Sequence, residues 1–248
     1  MRGKNLWIGY LLPGVIAAAV LAGCGNKTAD SQLAKTGSEE SVQYPAGQTA
    51  LQPVQDTEDT EFTQRDGSGN SILIAYFAVA ENSDVDAVSS ASVVTVNGGA
   101  EGRLQHLAKL IQEETGGELF SIQTAVDYPG DGGKLIDYAA EEQEQDTRPE
   151  ITNHIENLDQ YDVVFVGYPT WWYDLPQVMY SFFDEYDFAG KTIIPFNSHN
   201  GSRFSGTIET ITELEPGAKV LTAGFTVSER NVADAGDDIA DWVRSLDF

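Results

Sequence analysis

The chain predicts an α/β domain, a parallel β-sheet with helices on both faces. Three observations carry this prediction. Apolar runs of strand length recur along the chain, most clearly at 72–77, 162–167 and 191–196. Each is followed by a segment with helical spacing of its apolar residues. Clusters of Gly, Pro, Asn and Asp punctuate the two kinds of segment. Strands that alternate with helices pair in parallel, because a parallel neighbour is reached only through a crossover. Runs that are apolar throughout suit strands buried on both faces.

Residues 1–23 have the form of a targeting segment: Arg2 and Lys4, then an apolar stretch interrupted by Pro13 and Gly14, then Leu21-Ala22-Gly23-Cys24. This resembles the bacterial lipoprotein signal, in which cleavage leaves a lipid-modified Cys24 at the new N-terminus. An uncleaved helix is the competing reading, since 6–23 carries no charge and is barely long enough to span a bilayer. Residues 24–70 are rich in Ser, Thr, Gln, Gly, Asp and Glu without a sustained period, which predicts a flexible linker. A coil of that length spans roughly 35–40 Å.

The globular part is expected at 71–248. Its first strand is Ile72-Leu73-Ile74-Ala75-Tyr76-Phe77. Residues 78–102 form a long loop of small residues, with a possible short strand at 92–96. Leu104, Leu107, Ala108 and Ile111 mark the first helix, which Gly116-Gly117 closes. A second strand follows at 118–123. Residues 134–158 are expected to be mostly helical, with an interruption before Pro149. The third strand, 162–167, runs into Gly167-Tyr168-Pro169-Thr170-Trp171-Trp172. Asp174 is placed to cap the next helix, with Pro176 in its first turn and Leu175, Val178, Met179 and Phe182 facing inward. The fourth strand, 191–196, leads into Asn197-Ser198-His199-Asn200-Gly201-Ser202-Arg203-Phe204. A helix from about Ser205, a last strand at 219–227 and a final helix carrying Ile239, Trp242, Val243 and Leu246 complete the domain.

Composition narrows the function. Of 248 residues, 39 are acidic and 14 are Lys or Arg, a formal charge of −25. Removal of Arg2 and Lys4 with the leader would take this to −27. Such a surface repels nucleic acid and anionic headgroups and favours a basic patch on a partner; the same charge could serve solubility alone. One cysteine excludes an internal disulfide. No Gly-x-Ser-x-Gly elbow is present to support a hydrolase. No His, Asp or Glu spacing makes a metal site, and no catalytic acid–base pair stands out.

Five strand–helix units with distinctive loops after strands one, three and four resemble flavodoxin across 71–248. The two motifs at 167–172 and 197–204 look like the bacterial flavodoxin-like branch with a long first loop. The resemblance implies strand order 2-1-3-4-5 and flavin mononucleotide (FMN) at the carboxyl edge of the sheet. It also implies roles. The first loop, with Ala80 and Asn82, and the helix start at Gly102 and Arg103 would cradle the phosphate. Pro169, Thr170, Trp171 and Trp172 would flank the isoalloxazine ring. Asn197, Ser198, His199, Gly201 and Ser202 would meet its polar edge.

The chain departs from the family pattern in the first loop. Ala78-Val79-Ala80 offers no hydroxyl, and Gly102-Arg103-Leu104 stands where Gly-Asn-Thr is usual. Arg103 could pair with the phosphate by charge or be a solvated first-turn residue. Trp171 and Trp172, read as strand neighbours, should face opposite ways, so one indole is exposed unless a ligand covers it. Gly130-Asp131-Gly132-Gly133 and Asn97-Gly98-Gly99-Ala100 match no nucleotide fingerprint and are expected to be turns. His106 and His154 are expected to be structural.

The expected function is an FMN-binding electron-transfer protein, lipid-anchored outside the cytoplasm. It would act as a carrier or as the reductase of a small acceptor such as a quinone. Its alternative is a flavodoxin fold that has lost FMN and serves as a surface binding module.

Overall fold

A computed structural model describes residues 71–83 and 85–248. The expected leader, Cys24 and the linker to residue 70 lie outside the described residues. In chain order the elements are β1 (Ile72–Tyr76), β2 (Val93–Val96), β3 (Gly99–Gly102), α1 (Arg103–Thr115), β4 (Glu118–Ser121), α2 (Gly132–Glu144), β5 (Val163–Pro169), α3 (Gln177–Glu185), β6 (Thr192–His199), α4 (Thr207–Leu214), β7 (Lys219–Val220), β8 (Phe225–Ser228) and α5 (Gly236–Ser245). The main sheet has the order β4-β1-β5-β6-β7, with β8 also on β6. Counted along the chain this is the 2-1-3-4-5 arrangement, and every pairing in it is parallel.

Alternate residues of the central strands enter two separate cores, as a sheet covered on both faces requires. Leu73, Ala75, Phe77, Val164, Val166 and Tyr168 pack on one side with Leu135 of α2, Val178 and Phe182 of α3, and Ile211 of α4. Ile74, Tyr76, Val163, Phe165, Ile194 and Phe196 pack on the other with Leu104, Leu107 and Ile111 of α1 and Ile239 and Val243 of α5. The inward stripe expected before and along α3 is buried throughout: Leu175, Val178, Met179 and Phe182 are each at most 2% exposed.

Four local expectations are corrected. Residues 93–102 form an antiparallel hairpin rather than loop. Asn97 and Gly98 turn it, with φ of 52° and 81°; positive φ at both central positions is the type I′ pattern that Asn-Gly favours. Second, α2 ends at Glu144, well short of residue 158. Asp146 takes φ 49°, and the following chain turns back along β4's end. There Ala125 N–H donates to Glu150 O and Thr152 N–H to Gln123 O, so these groups are satisfied outside a helix.

Third, Asp174 does not cap α3, whose N-cap is Pro176. Its carboxylate accepts from Leu175 N–H at 2.8 Å and Tyr180 O–H at 2.9 Å. Fourth, the last strand is broken into β7 and β8. Leu221 N–H donates to Ile193 O, so alternation points the backbone of Pro195 to the same side. Pro195 has no N–H to give there, and the neighbouring strand bulges at that point before pairing resumes at Phe225. β6 itself runs on to His199, which places Asn197 and Ser198 within the strand.

Candidate functional site

The carboxyl ends of β1, β5 and β6 open into a cavity of about 810 Å³. Its size is typical of small-molecule and cofactor sites. Each wall comes from a different loop. The first wall is Ser90, Ala91 and Ser92, with Arg103 at the start of α1. The second is Gly130, Gly132 and the α2 residues Leu135, Ile136 and Ala139. The third is 169–173, and the fourth is 198–202 with Glu229.

Backbone and side-chain ties fix these loops to one another. Thr170 N–H donates to Ser198 O at 3.0 Å, and Thr170 Oγ1 donates to Arg203 O at 2.8 Å. Asn197, fully buried, donates to the same Arg203 carbonyl at 3.0 Å and to Thr170 Oγ1. The loop after β1 is laced to the one after β4: Ser83 Oγ donates to Tyr128 O at 2.8 Å, and Tyr128 N–H to Asn82 O at 2.7 Å. Asp131 caps α2 by accepting from Lys134 N–H. The expected turn over 130–133 is therefore confined to 130–131, because Gly132 and Gly133 open α2, and glycines 130 and 132 face the cavity.

The two indoles differ in environment, but not through strand alternation. Residues 171–174 make a tight turn in which Trp171 and Asp174 exchange two backbone hydrogen bonds. Trp172 and Tyr173 take φ of 47° and 67°, a left-handed conformation unusual for bulky residues. Trp171 is half-buried, edge-on to Phe77 and Tyr128 at centroid distances of 5.8 and 5.7 Å. Trp172 is 50% exposed, and its Nε1–H donates to Ile136 O at 3.0 Å. Among the described residues, the exposed large apolar side chains are Val85, Val88, Ile136, Trp172 and Tyr173. Ile136, Trp172 and Tyr173 line the cavity, and Val85 packs on the Gly130 wall, where a β-carbon would meet its Cγ2 at 2.3 Å.

Opposite lies the polar edge. His199 Nδ1 accepts from Gly201 N–H at 2.9 Å, which leaves Nε2 as the donor in the neutral tautomer. Burial, then the nearby Arg203 charge, lowers its pKa, favouring that neutral form. Gly201 has φ 105°, a conformation open to glycine and strained for other residues.

Thus Arg103, Pro169, Thr170, Trp171, Trp172, Ser198, His199, Gly201 and Ser202 converge on one cavity. Ala80, Asn82, Gly102 and Asn197 do not line it. Ala80 lies under Gly102, where a β-carbon would meet its methyl at 3.5 Å. Asn82 is a buried clasp: its Nδ2 donates to Ala78 O and Ile122 O, and its Oδ1 accepts from Thr124 N–H. The cavity residues missed from sequence include Ser90, Ser92 and Glu229 at one end and Ile136 and Tyr173 at the other. The Ser89-Ser90-Ala91-Ser92 run signalled hydroxyls, but only closure of the β2–β3 hairpin brings it beside Arg103.

At that end the helix N-terminus is partly spent. Gly102 N–H donates to Gln105 Oε1 at 3.2 Å, and Arg103 N–H to Ser92 O at 2.9 Å. Arg103 Nη1 pairs with Glu229 Oε2 at 2.8 Å, while its Nε is buried without a partner. Tyr128, behind Trp171, donates from its hydroxyl to the buried carboxyl of Glu142 at 3.3 Å. Burial pushes Glu142 up to about 7. Among the described residues no His, Cys, Asp and Glu cluster could hold a metal.

Comparison with known proteins agrees with this architecture. Residues 92–246 match the family model described as flavodoxin. A candidate flavoprotein from Bacteroides eggerthii DSM 20697 is 25% identical over 69% of this chain and 99% of its own, with a TM-score of 0.50. A second from Bacteroides uniformis ATCC 8492 is 23% identical over 71% and 99%, with a TM-score of 0.56, a likeness of fold. No curated protein matches the chain. The family match spans well over half the chain, and the sheet has the order that the two recognition motifs implied. The chain belongs to the flavodoxin family.

Proposed function

We propose that this protein binds FMN in the cavity at the carboxyl edge of its sheet and transfers electrons through it. The observation that carries the proposal is Arg103: a buried guanidinium Nε without a partner in a cavity whose other end is walled by Trp172 and by the His199–Gly201 edge. An orphaned charged donor is costly unless a ligand completes it, and a phosphate is the part of FMN that fits a guanidinium. Ser90 and Ser92 add hydroxyls beside it.

When bound, FMN supplies the one- and two-electron chemistry. The protein's residues bind and orient it. Trp172 and Trp171 offer apolar surface to a planar ring. Neutral His199 presents an N–H donor. Thr170, held by Ser198 and Arg203, keeps the two ring-flanking loops at fixed separation. The 39 acidic residues disfavour added negative charge and so lower the potential of the reduced flavin.

Location and partners follow from the residues before 71. Cleavage before Cys24 and its lipidation would anchor the domain outside the cytoplasm on a linker of 24–70. The electron partner would dock through a basic patch, and the acceptor would be small, with a quinone as one example. The test is purification of the full-length protein from membranes in detergent. The expected preparation is yellow, or turns yellow on FMN addition with quenched Trp fluorescence, and Cys24→Ser moves it to the soluble fraction. A colourless protein whose Trp fluorescence ignores FMN overturns the cofactor assignment and favours the surface binding module.

A further inference from the structure

We propose that Glu229 sets the site's preference between phosphorylated and unphosphorylated flavin, by competing with the ligand's phosphate for Arg103. The inference rests on the flavin reading above. Among the described residues lining the cavity, Arg103 is the one Lys or Arg, and Glu229 is the one carboxylate. Their pair links the start of α1 to the residue after β8, positions 126 apart in sequence.

Both ends are held by backbone. Arg103 N–H is bound to Ser92 O at 2.9 Å, and Glu229 N–H to His199 O at 2.8 Å. The Nη1–Oε2 distance is 2.8 Å, with the side chains 24% and 29% exposed. The carboxylate therefore stays beside the guanidinium when a ligand arrives. The nearby α1 cation Lys109 is bound to Glu101 and offers no substitute.

The competition is for the charge of the guanidinium as well as for its donors. A phosphate binds a guanidinium best through two parallel N–H donors. Nε is unpartnered, and Nη1 is occupied by Glu229. A dianion on the Nε–Nη2 edge meets a guanidinium whose charge Glu229 already offsets and sits close to that carboxylate, and one on the Nη1–Nη2 edge must displace Glu229. The backbone cannot compensate fully, because the N–H groups of Gly102 and Arg103 are already bound to Gln105 and Ser92. Riboflavin carries no phosphate and bears neither cost. Glu229 thus trims the advantage of FMN over riboflavin.

The test is separate titration of FMN and riboflavin into full-length, flavin-free protein in detergent, followed by flavin fluorescence. The proteins are wild type, Glu229→Gln, Arg103→Gln and the double variant, each first checked for an intact thermal unfolding transition. Glu229→Gln should tighten FMN by about tenfold, a free-energy gain of about 1.4 kcal/mol, and leave riboflavin unchanged. Arg103→Gln should weaken FMN, leave riboflavin unchanged, and abolish the effect of Glu229→Gln in the double variant. Unchanged or weaker FMN binding by Glu229→Gln overturns the proposal, as does an equal gain for riboflavin. If neither flavin binds any of the four proteins, the flavin reading fails and this inference falls with it. Binding of both flavins without the expected difference sinks this inference alone.

Discussion

The ring of Phe196 lies across the α-carbon of Gly167: a β-carbon built on Gly167 would stand 2.2 Å from Cζ of that ring. The two residues are direct partners on β5 and β6, so they face the same side of the sheet, and Phe196 is fully buried. Gly167→Ala should therefore destabilise the fold by about 1–3 kcal/mol through overpacking. Phe196→Leu alone should lose packing. The double variant should recover part of the alanine's cost, giving a coupling of at least about 0.5 kcal/mol in a double-mutant cycle. Additive losses by chemical denaturation would show that the contact is not the source of strain.

Asn82 separates a structural role from a ligand role. It makes three side-chain hydrogen bonds, one within the turn after β1 and two that join this turn to the segment after β4, and it does not line the cavity. Asn82→Ala leaves Ala78 O, Ile122 O and Thr124 N–H without that partner. A loss of about 2–4 kcal/mol in unfolding free energy is expected, since each orphaned buried group costs about 1–3 kcal/mol and relaxation recovers some. Flavin affinity, measured well below the melting temperature, should change by less than about threefold. A large affinity loss without a stability loss would place Asn82 at the ligand instead.

The two indoles should separate in the opposite sense. Trp171 packs on Phe77 and Tyr128, so Trp171→Ala should cost about 2–4 kcal/mol of stability. Trp172 is 50% exposed and in a left-handed conformation, so Trp172→Ala should alter stability by less than about 1 kcal/mol. It should nonetheless weaken FMN by about tenfold, from loss of a stacking surface. Thermal melts and fluorescence titration of both variants distinguish the two roles.

Glu142 should give stability a specific pH dependence. Burial raises its folded pKa from 4.5 to about 7, so the folded state holds the proton more tightly than the unfolded chain. Its contribution is then fully present below about pH 4.5 and declines as pH rises towards 7. Glu142→Gln mimics the protonated acid and keeps a polar partner for Tyr128 O–H. The variant should lose this decline and gain on wild type as pH increases across that window. Parallel slopes of melting temperature against pH would refute the assignment.

The sequence determined the fold because its signals were local and redundant. The apolar runs at 72–77 and 162–167 are long enough to be buried on both faces, and helical spacing separates them. The aromatic and small-residue loops after the third and fourth strands likewise marked two walls of the cavity. Local chemistry also marked one missed element: Asn97-Gly98 is the strongest short hairpin signal available. It was obscured because the flanking strands are only four residues each.

Other features were decided by tertiary contacts. The break between β7 and β8 depends on which side of β6 the missing N–H of Pro195 faces, a matter of register rather than composition. The early end of α2 depends on the 150–152 segment finding backbone partners beside 123–125. Most consequentially, the Arg103 end of the cavity is assembled from Ser90, Ser92, Arg103 and Glu229, residues from distant parts of the chain. Sequence placed Arg103 at the start of a helix. Only the folded chain brings Glu229 within 2.8 Å of it, because charge pairs across 126 positions leave no local pattern to read.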